Sequence, residues 1–181
     1  MSFAYDLRQW RSGQSFREHL AAHDPAVCGW VRRIVVHHTV NPTRDTWRGK
    51  PTMDGMVNYY KGLGWDAGPH LFIVQGSPDT NQDGIWQMTP LNARGIHAGL
   101  CNRDSIGIEV VGYYDRHGWP YRLAQLVYRT MGHFINWHGK LTVNDVIGHR
   151  DCKSPKTCPG SAISLSVVRY DLADIMRHDL D

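Results

Sequence analysis

The strongest constraint on how this chain can fold is an alternation of two periodicities. Short apolar runs of strand-forming residues are separated by segments with helical spacing. Val31–His38 contains IVV, His70–Gln75 reads HLFIVQ, Gly84–Met88 reads GIWQM, and Ser105–Val111 reads SIGIEVV. Each has the length of a strand and is bounded by turn-forming residues. A further short strand is expected within Asp145–His149. Between these, Thr52 is placed to cap a helix running through Met56, Val57 and Tyr60, which the glycines at 62 and 64 stop. In Tyr121–His138, the residues Leu123, Leu126, Val127, Thr130, Met131, Phe134 and Ile135 share one helical face, with Pro120 before it and Gly139 after it. Ile163–Met176 closes the chain as another helix. Strands alternating with helices predict an α/β fold: a central mixed β-sheet flanked by helices, in a single domain. A length of 181 residues suits one core.

Residues 1–30 read as an N-terminal extension packed on a domain spanning 31–181. Leu7, Trp10, Phe16 and Leu20 offer one apolar stripe, interrupted by Gly13. The first twenty residues alternate charged and apolar positions and lack the apolar stretch of a secretory signal. No run is long enough to cross a bilayer. The expectation is a monomer made in the cytoplasm without membrane insertion. The formal charge of +3 is spread along the chain, with no basic block of the kind nucleic-acid arms carry. That mild excess would assist approach to an anionic surface such as a bacterial wall.

Histidine and cysteine hold the chemical interest. Eleven histidines are too many for all to be functional, so context must select among them. His37 and His38 end the first strand, His149 follows the strand at 145–149, and Cys158 lies in KTCPG just beyond. Two imidazoles and a thiolate form a three-ligand zinc set, leaving the fourth tetrahedral position for water, as catalytic zinc requires. Alternation along the strand sends His37 and His38 to opposite faces. Cys152, three residues after His149, competes with Cys158, and the loop does not decide between them. A buried strand-end histidine and an inert thiol would produce the same pattern. His133 and His138 have poor ligand spacing and read as surface or capping groups. Four cysteines (Cys28, Cys101, Cys152 and Cys158) are too few for a disulfide scaffold in a chain this long. They fit a reducing compartment with a metal or catalytic role for one or two of them.

Five segments in order, VVHHT, GPHLFIV, GIHAG, SIGIEVVG and GHRDC…KTCPG, resemble the type-2 N-acetylmuramoyl-L-alanine amidase family from about Val31 to Gly160. That family includes phage lysozyme-like amidases, muropeptide amidases and peptidoglycan recognition proteins. The resemblance implies one zinc ion held by His37, His149 and Cys158. It implies Lys156 as the oxyanion stabiliser, Glu109 as general base, and His97 as a lining residue of the substrate groove. Asn92 and Arg94, with Asn102, lie near His97 in sequence and could hold peptide carboxylates. Trp65, Trp86, Tyr113, Tyr114 and Trp119 are candidate sugar-stacking aromatics.

The chain departs from the phage branch at one position. Where that branch carries a catalytic tyrosine just before the histidine of GPHLFIV, this chain has Pro69, which has no hydroxyl. Glu109 is therefore expected to act as base, pointing toward the metal while Ile106, Ile108 and Val110 face the core. The implied partner is peptidoglycan or muropeptides. The implied role is a phage or prophage endolysin that acts on the wall after release, or a cytoplasmic recycling amidase. A non-catalytic wall-binding module, a Cys152–His149 thiol peptidase and a structural zinc site closed by Cys152 are the competing readings.

Overall fold

A computed structural model describes residues 2–180. Six strands form one mixed sheet: β1 (Arg8–Trp10), β2 (Arg33–His38), β3 (Leu71–Val74), β4 (Gly84–Gln87), β5 (Ser105–Val110) and β6 (Val146–Gly148), in spatial order β1-β4-β3-β5-β2-β6. Strands β3, β5, β2 and β6 run parallel, and β4 and β1 add antiparallel at one edge. Parallel strands need crossovers and cover on both faces, and the helices supply that cover.

The helices are α1 (Gly13–Ala21), α2 (Lys50–Gly62), α3 (Tyr121–His138) and α4 (Leu165–His178). On one face, α3 is the central support, with α1 and α4 packed against it. Its Leu123, Val127, Met131 and Phe134 join Phe16 and Leu20 of α1, Val168 and Leu172 of α4, and Ile34, Val36, Ile106, Ile108 and Val110 of the sheet. Gly139 ends α3 in the left-handed region at φ +71°, where glycine lacks the Cβ clash that other residues meet. On the opposite face, α2 lays Met53, Val57 and Tyr60 over Phe72, Val74, Trp86 and Met88.

Several expectations need correction. The apolar residues of the N-terminal segment do not share one helical stripe. Arg8–Trp10 is a strand paired to β4, and only Phe16 and Leu20 lie on α1. Helix α2 begins at Lys50 after Gly49, so Thr52 lies inside its first turn, where its Oγ1 accepts from the Arg48 N–H at 2.8 Å. His133 and His138 are buried in the interface between α3 and the N-terminal segment, not on the surface. A Cβ on Gly13 would meet the His133 ring at 3.3 Å, and His138 Nε2 pairs with the Cys28 carbonyl at 3.1 Å. No helix among the described residues is long and apolar enough to cross a membrane.

Candidate metal centre and groove

The site lies at the carboxyl ends of the parallel strands, where open α/β sheets place their ligands. His37, near the end of β2, stands directly opposite Glu109 on β5. In paired strands, residues in register share a face, so alternation puts both side chains on one side of the sheet. Ile106, Ile108 and Val110 point the other way into the core, as SIGIEVV predicts. His149 begins the turn immediately after β6, and Cys158 returns from the following loop.

These elements bring the ligand atoms of His37, His149 and Cys158 within 4.8 Å of one another. His37 Nδ1 is 3.7 Å from Cys158 Sγ, and the His37 and His149 ring centroids are 4.6 Å apart. Nitrogen and sulfur ligands of a tetrahedral zinc are separated by about 3.6 Å, given bonds of about 2.05 and 2.3 Å. The donor set therefore fits zinc in both chemistry and spacing. The His38 backbone N–H donates to Cys158 Sγ at 3.4 Å, a contact that favours a thiolate. Glu109 Oε1 is 3.8 Å from His37 Nδ1. Its Oε2 is buried with no hydrogen-bond partner among the described residues. An orphaned carboxylate oxygen facing the cluster suits a group that handles a proton from the site.

Burial dominates the electrostatics of these side chains. It pushes Glu109 up to about 8, against an opposing pull from Lys156. It raises the Cys158 thiol to about 12, and Glu109 adds to that rise. It holds His37 well below the usual histidine range, with His97, His149 and Lys156 contributing further. His149 is lowered by burial and then by Lys156. Every group in the cluster thus favours its neutral form. A divalent cation would reverse that preference for the thiol. Lys156, exposed on the loop before Cys158, brings its charge to bear on all four.

A groove of about 1010 Å³ runs past this cluster. Met56, Tyr59, Leu63 and Trp65 form an apolar wall, and Asn41, Asp115 and Thr157 supply polar groups. His97 and Pro69 also line it. His38 does too, although strand alternation sends it to the opposite face from His37. Its ring turns at the strand end, where Nδ1 accepts the Tyr114 N–H at 3.2 Å.

Asn92 and Arg94 do not reach the groove. Both are exposed elsewhere, and the Arg94 guanidinium bonds the Arg103 carbonyl at 3.0 Å and lies over Trp30. Asn102 is spent on the backbone N–H groups of His97 and Ala98. Of the aromatics, Trp65 faces the groove, whereas Trp86 and Tyr114 are core residues and Trp119 packs beside α3. Tyr113 is exposed and stacks on His38. Tyr59 is exposed and lines the groove, while Tyr60 is buried.

Cys152 is not a rival ligand. It forms a disulfide with Cys101 across a sequence separation of 51. That bond removes Cys152 as a nucleophile and as a fourth zinc ligand, and it corrects the expectation of reduced cysteines. Sequence reasoning also missed Asp115 and Thr157. The signal it could have used for His97 is Gly107, a glycine inside a strand, which marks close approach by another group. A Cβ there would lie 2.6 Å from the His97 ring.

Residues 29–161 match the family model described as N-acetylmuramoyl-L-alanine amidase. No curated protein sequence matches the chain. Among solved structures, the N-acetylmuramoyl-L-alanine amidase LysC from Clostridium intestinale URNW is 20% identical. That match covers 96% of this chain and 93% of its own, with a TM-score of 0.63. The Ph2119 endolysin from the Thermus scotoductus MAT2119 bacteriophage is 23% identical over 77% of this chain and 83% of its own, with a TM-score of 0.59. A mutant of Drosophila PGRP-LB in complex with tracheal cytotoxin is 16% identical over 98% and 88%, with a TM-score of 0.62. At these identities the likenesses carry the fold.

Proposed function

The chain belongs to the N-acetylmuramoyl-L-alanine amidase family, and we propose that it works through one zinc ion held by His37, His149 and Cys158. Its activity is hydrolysis of the amide joining N-acetylmuramic acid to L-alanine in peptidoglycan. The observation that carries the zinc reading is the convergence of two imidazoles and a thiol within 4.8 Å of one another, from three separate segments, beside a buried carboxyl.

Zinc in this position supplies Lewis acidity, polarising a carbonyl oxygen and making water a better acid near neutral pH. The chain supplies the rest. Glu109 takes a proton from the attacking water as its oxygen bonds the lactyl carbonyl carbon. It then delivers that proton to the alanine nitrogen as the C–N bond breaks. Burial suits it to the second half of that cycle, because the carboxyl holds a proton readily. The Lys156 ammonium faces the negative charge that develops on the carbonyl oxygen. With Pro69 in the groove wall, no hydroxyl at that position competes for either task. The apolar wall of Met56, Tyr59, Leu63 and Trp65 would take a sugar face or the lactyl-alanine methyls.

The biological role proposed is a phage or prophage endolysin, active as a monomer, made in the cytoplasm and reaching the wall after release. The endolysin structures that share the fold support it. Residues 1–30 serve as a packed extension of a hydrolase unit spanning 31–181, and none of the described residues among them lines the groove. Muropeptide recycling is the second reading, favoured by Glu109 paired with Pro69. Digestion of purified walls tests both. New N-terminal alanine without new reducing sugar ends is the expected product. Release from insoluble walls favours the endolysin, and cleavage of soluble muropeptides alone favours recycling. Zinc binding with no cleavage of either substrate would leave only a wall-binding module.

A further inference from the structure

His97 does more than line the groove. Its Nδ1 lies 3.0 Å from His37 Nε2, the ring nitrogen that faces away from Cys158 and Glu109. Its other nitrogen, Nε2, lies 3.5 Å from Ser105 Oγ. The Ser105 hydroxyl in turn donates to the Cys101 carbonyl at 2.6 Å. A carbonyl can only accept, so the single hydroxyl proton of Ser105 is committed there. Ser105 Oγ must then accept from His97, which places the His97 proton on Nε2. His97 Nδ1 is left as a bare lone pair, and the 3.0 Å contact requires His37 to carry its proton on Nε2. The lone pair of His37 is thereby assigned to Nδ1, the atom facing Cys158 and Glu109.

We infer that His97, backed by Ser105 and the Cys101 carbonyl, is a positioning residue that locks His37 in the tautomer able to ligate a metal through Nδ1. The reversed polarity fails at both ends. It would place a proton on His37 Nδ1, toward the cluster, and it would pull the Ser105 proton off the Cys101 carbonyl to reach His97. Metal-ligating histidines commonly use their second nitrogen in this way, and the partner holds both ring orientation and basicity.

The surroundings hold His97 in place. The His97 and Ala98 backbone N–H groups both donate to Asn102 Oδ1, at 3.0 and 2.6 Å. Its ring lies on Gly107, where no side chain fits. His70 meets it edge-on at a centroid distance of 5.7 Å and is itself fixed, accepting the Gly107 N–H on Nδ1 and donating from Nε2 to the Ala93 carbonyl. The inference rests on the ligand set of the proposed zinc site for its consequence, but the tautomer itself is a property of the metal-free protein.

Two measurements separate these. Long-range proton–nitrogen correlation spectra of the metal-free, nitrogen-15-labelled protein report the His37 tautomer directly. Nε2–H is expected, and Nδ1–H would overturn the inference whatever the protein does with zinc. Competition with a chromophoric chelator then reports zinc affinity. His97→Ala should weaken it by about 10- to 100-fold. His97→Asn, whose Oδ1 replaces the Nδ1 acceptor, should recover most of the loss. A loss of kcat in His97→Ala that excess zinc reverses supports the positioning role, whereas a loss that persists at full zinc occupancy would return His97 to a substrate-contact role. Unchanged zinc affinity in His97→Ala overturns the positioning role. If that variant does not fold, Ser105→Ala, which removes the acceptor for Nε2–H together with the donor to the Cys101 carbonyl, carries the same comparison. Wild-type protein that takes up no zinc would sink the metal-site reading, and the spectra would still decide the tautomer.

Discussion

Breaking the Cys101–Cys152 bond should cost stability while sparing the chemistry. The bond closes a loop of 51 residues. Chain-entropy loss for that loop is about 14 cal/mol/K, or about 4 kcal/mol at 25 °C. Unfolding entropy scales with length at about 2.1 cal/mol/K per residue, giving about 0.4 kcal/mol/K for this chain, so the melting point should fall by about 10 °C. The bond also ties the turn carrying His149 to the segment behind His97, within a small buried cluster that includes Val35 and Ala98. The assay compares scanning calorimetry of wild type, wild type treated with a phosphine reductant, and Cys101→Ser/Cys152→Ser. Reduced wild type and the double variant should melt together, well below oxidised wild type. Hydrolysis measured far below either transition should stay nearly intact in Cys152→Ser, because that sulfur is neither ligand nor nucleophile. A shift under about 2 °C, less than about 1 kcal/mol, would mean the bridge does not constrain the folded chain in solution. Loss of activity at full zinc occupancy would revive Cys152 as a nucleophile.

Other outcomes follow from the same geometry. Glu109→Gln should lower kcat by about 10²–10⁴-fold with zinc content unchanged, and near-normal turnover would remove Glu109 from the proton-transfer role. The same side chain gives the metal-free protein a pH signature. Its folded pKa is raised from 4.5 to about 8, so stability is fully present below 4.5 and is lost as pH rises through 8. Denaturant melts should show that loss in wild type and not in Glu109→Gln. Lys156→Ala should lower kcat by about 10²–10³-fold without changing zinc affinity, and a pure KM effect would assign it to substrate binding instead. His70 is depressed from 6.5 to about 4 by burial. Its contribution is therefore present above 6.5 and is lost as pH falls through 4, at about 1.4 kcal/mol per pH unit. An NMR titration of His70 with a midpoint near 6.5 would contradict that.

Much of the fold is legible in the sequence, because burial writes itself into periodicity. SIGIEVV alternates, and its isoleucines and Val110 indeed enter the core beneath Glu109. The bounds expected for the helix at 121–138 are those of α3, and of its expected apolar face all but Leu126 are buried. Strand β1 is not legible, because three residues paired at a sheet edge carry too little pattern to separate from the helix that follows. His37 and Cys158 are 121 residues apart, so their meeting depends on tertiary structure. Residue type and strand-end position select them, but only the register of β2 with β5 and β6 brings them to one corner. The disulfide fails for the same reason, with nothing local to Cys101 or Cys152 announcing a partner. Asn92 and Arg94 mislead because closeness to His97 in sequence does not carry around a turn. His133 misleads because a small residue on a facing helix, Gly13, opens room for it in the core.

X-ray absorption at the zinc edge of the purified, zinc-loaded protein tests the central claim most directly. One ion per chain with two nitrogen neighbours near 2.0 Å, one sulfur near 2.3 Å and one exchangeable oxygen is the predicted shell. A shell with two sulfurs, with four protein ligands, or one that persists unchanged in Cys158→Ser would contradict it.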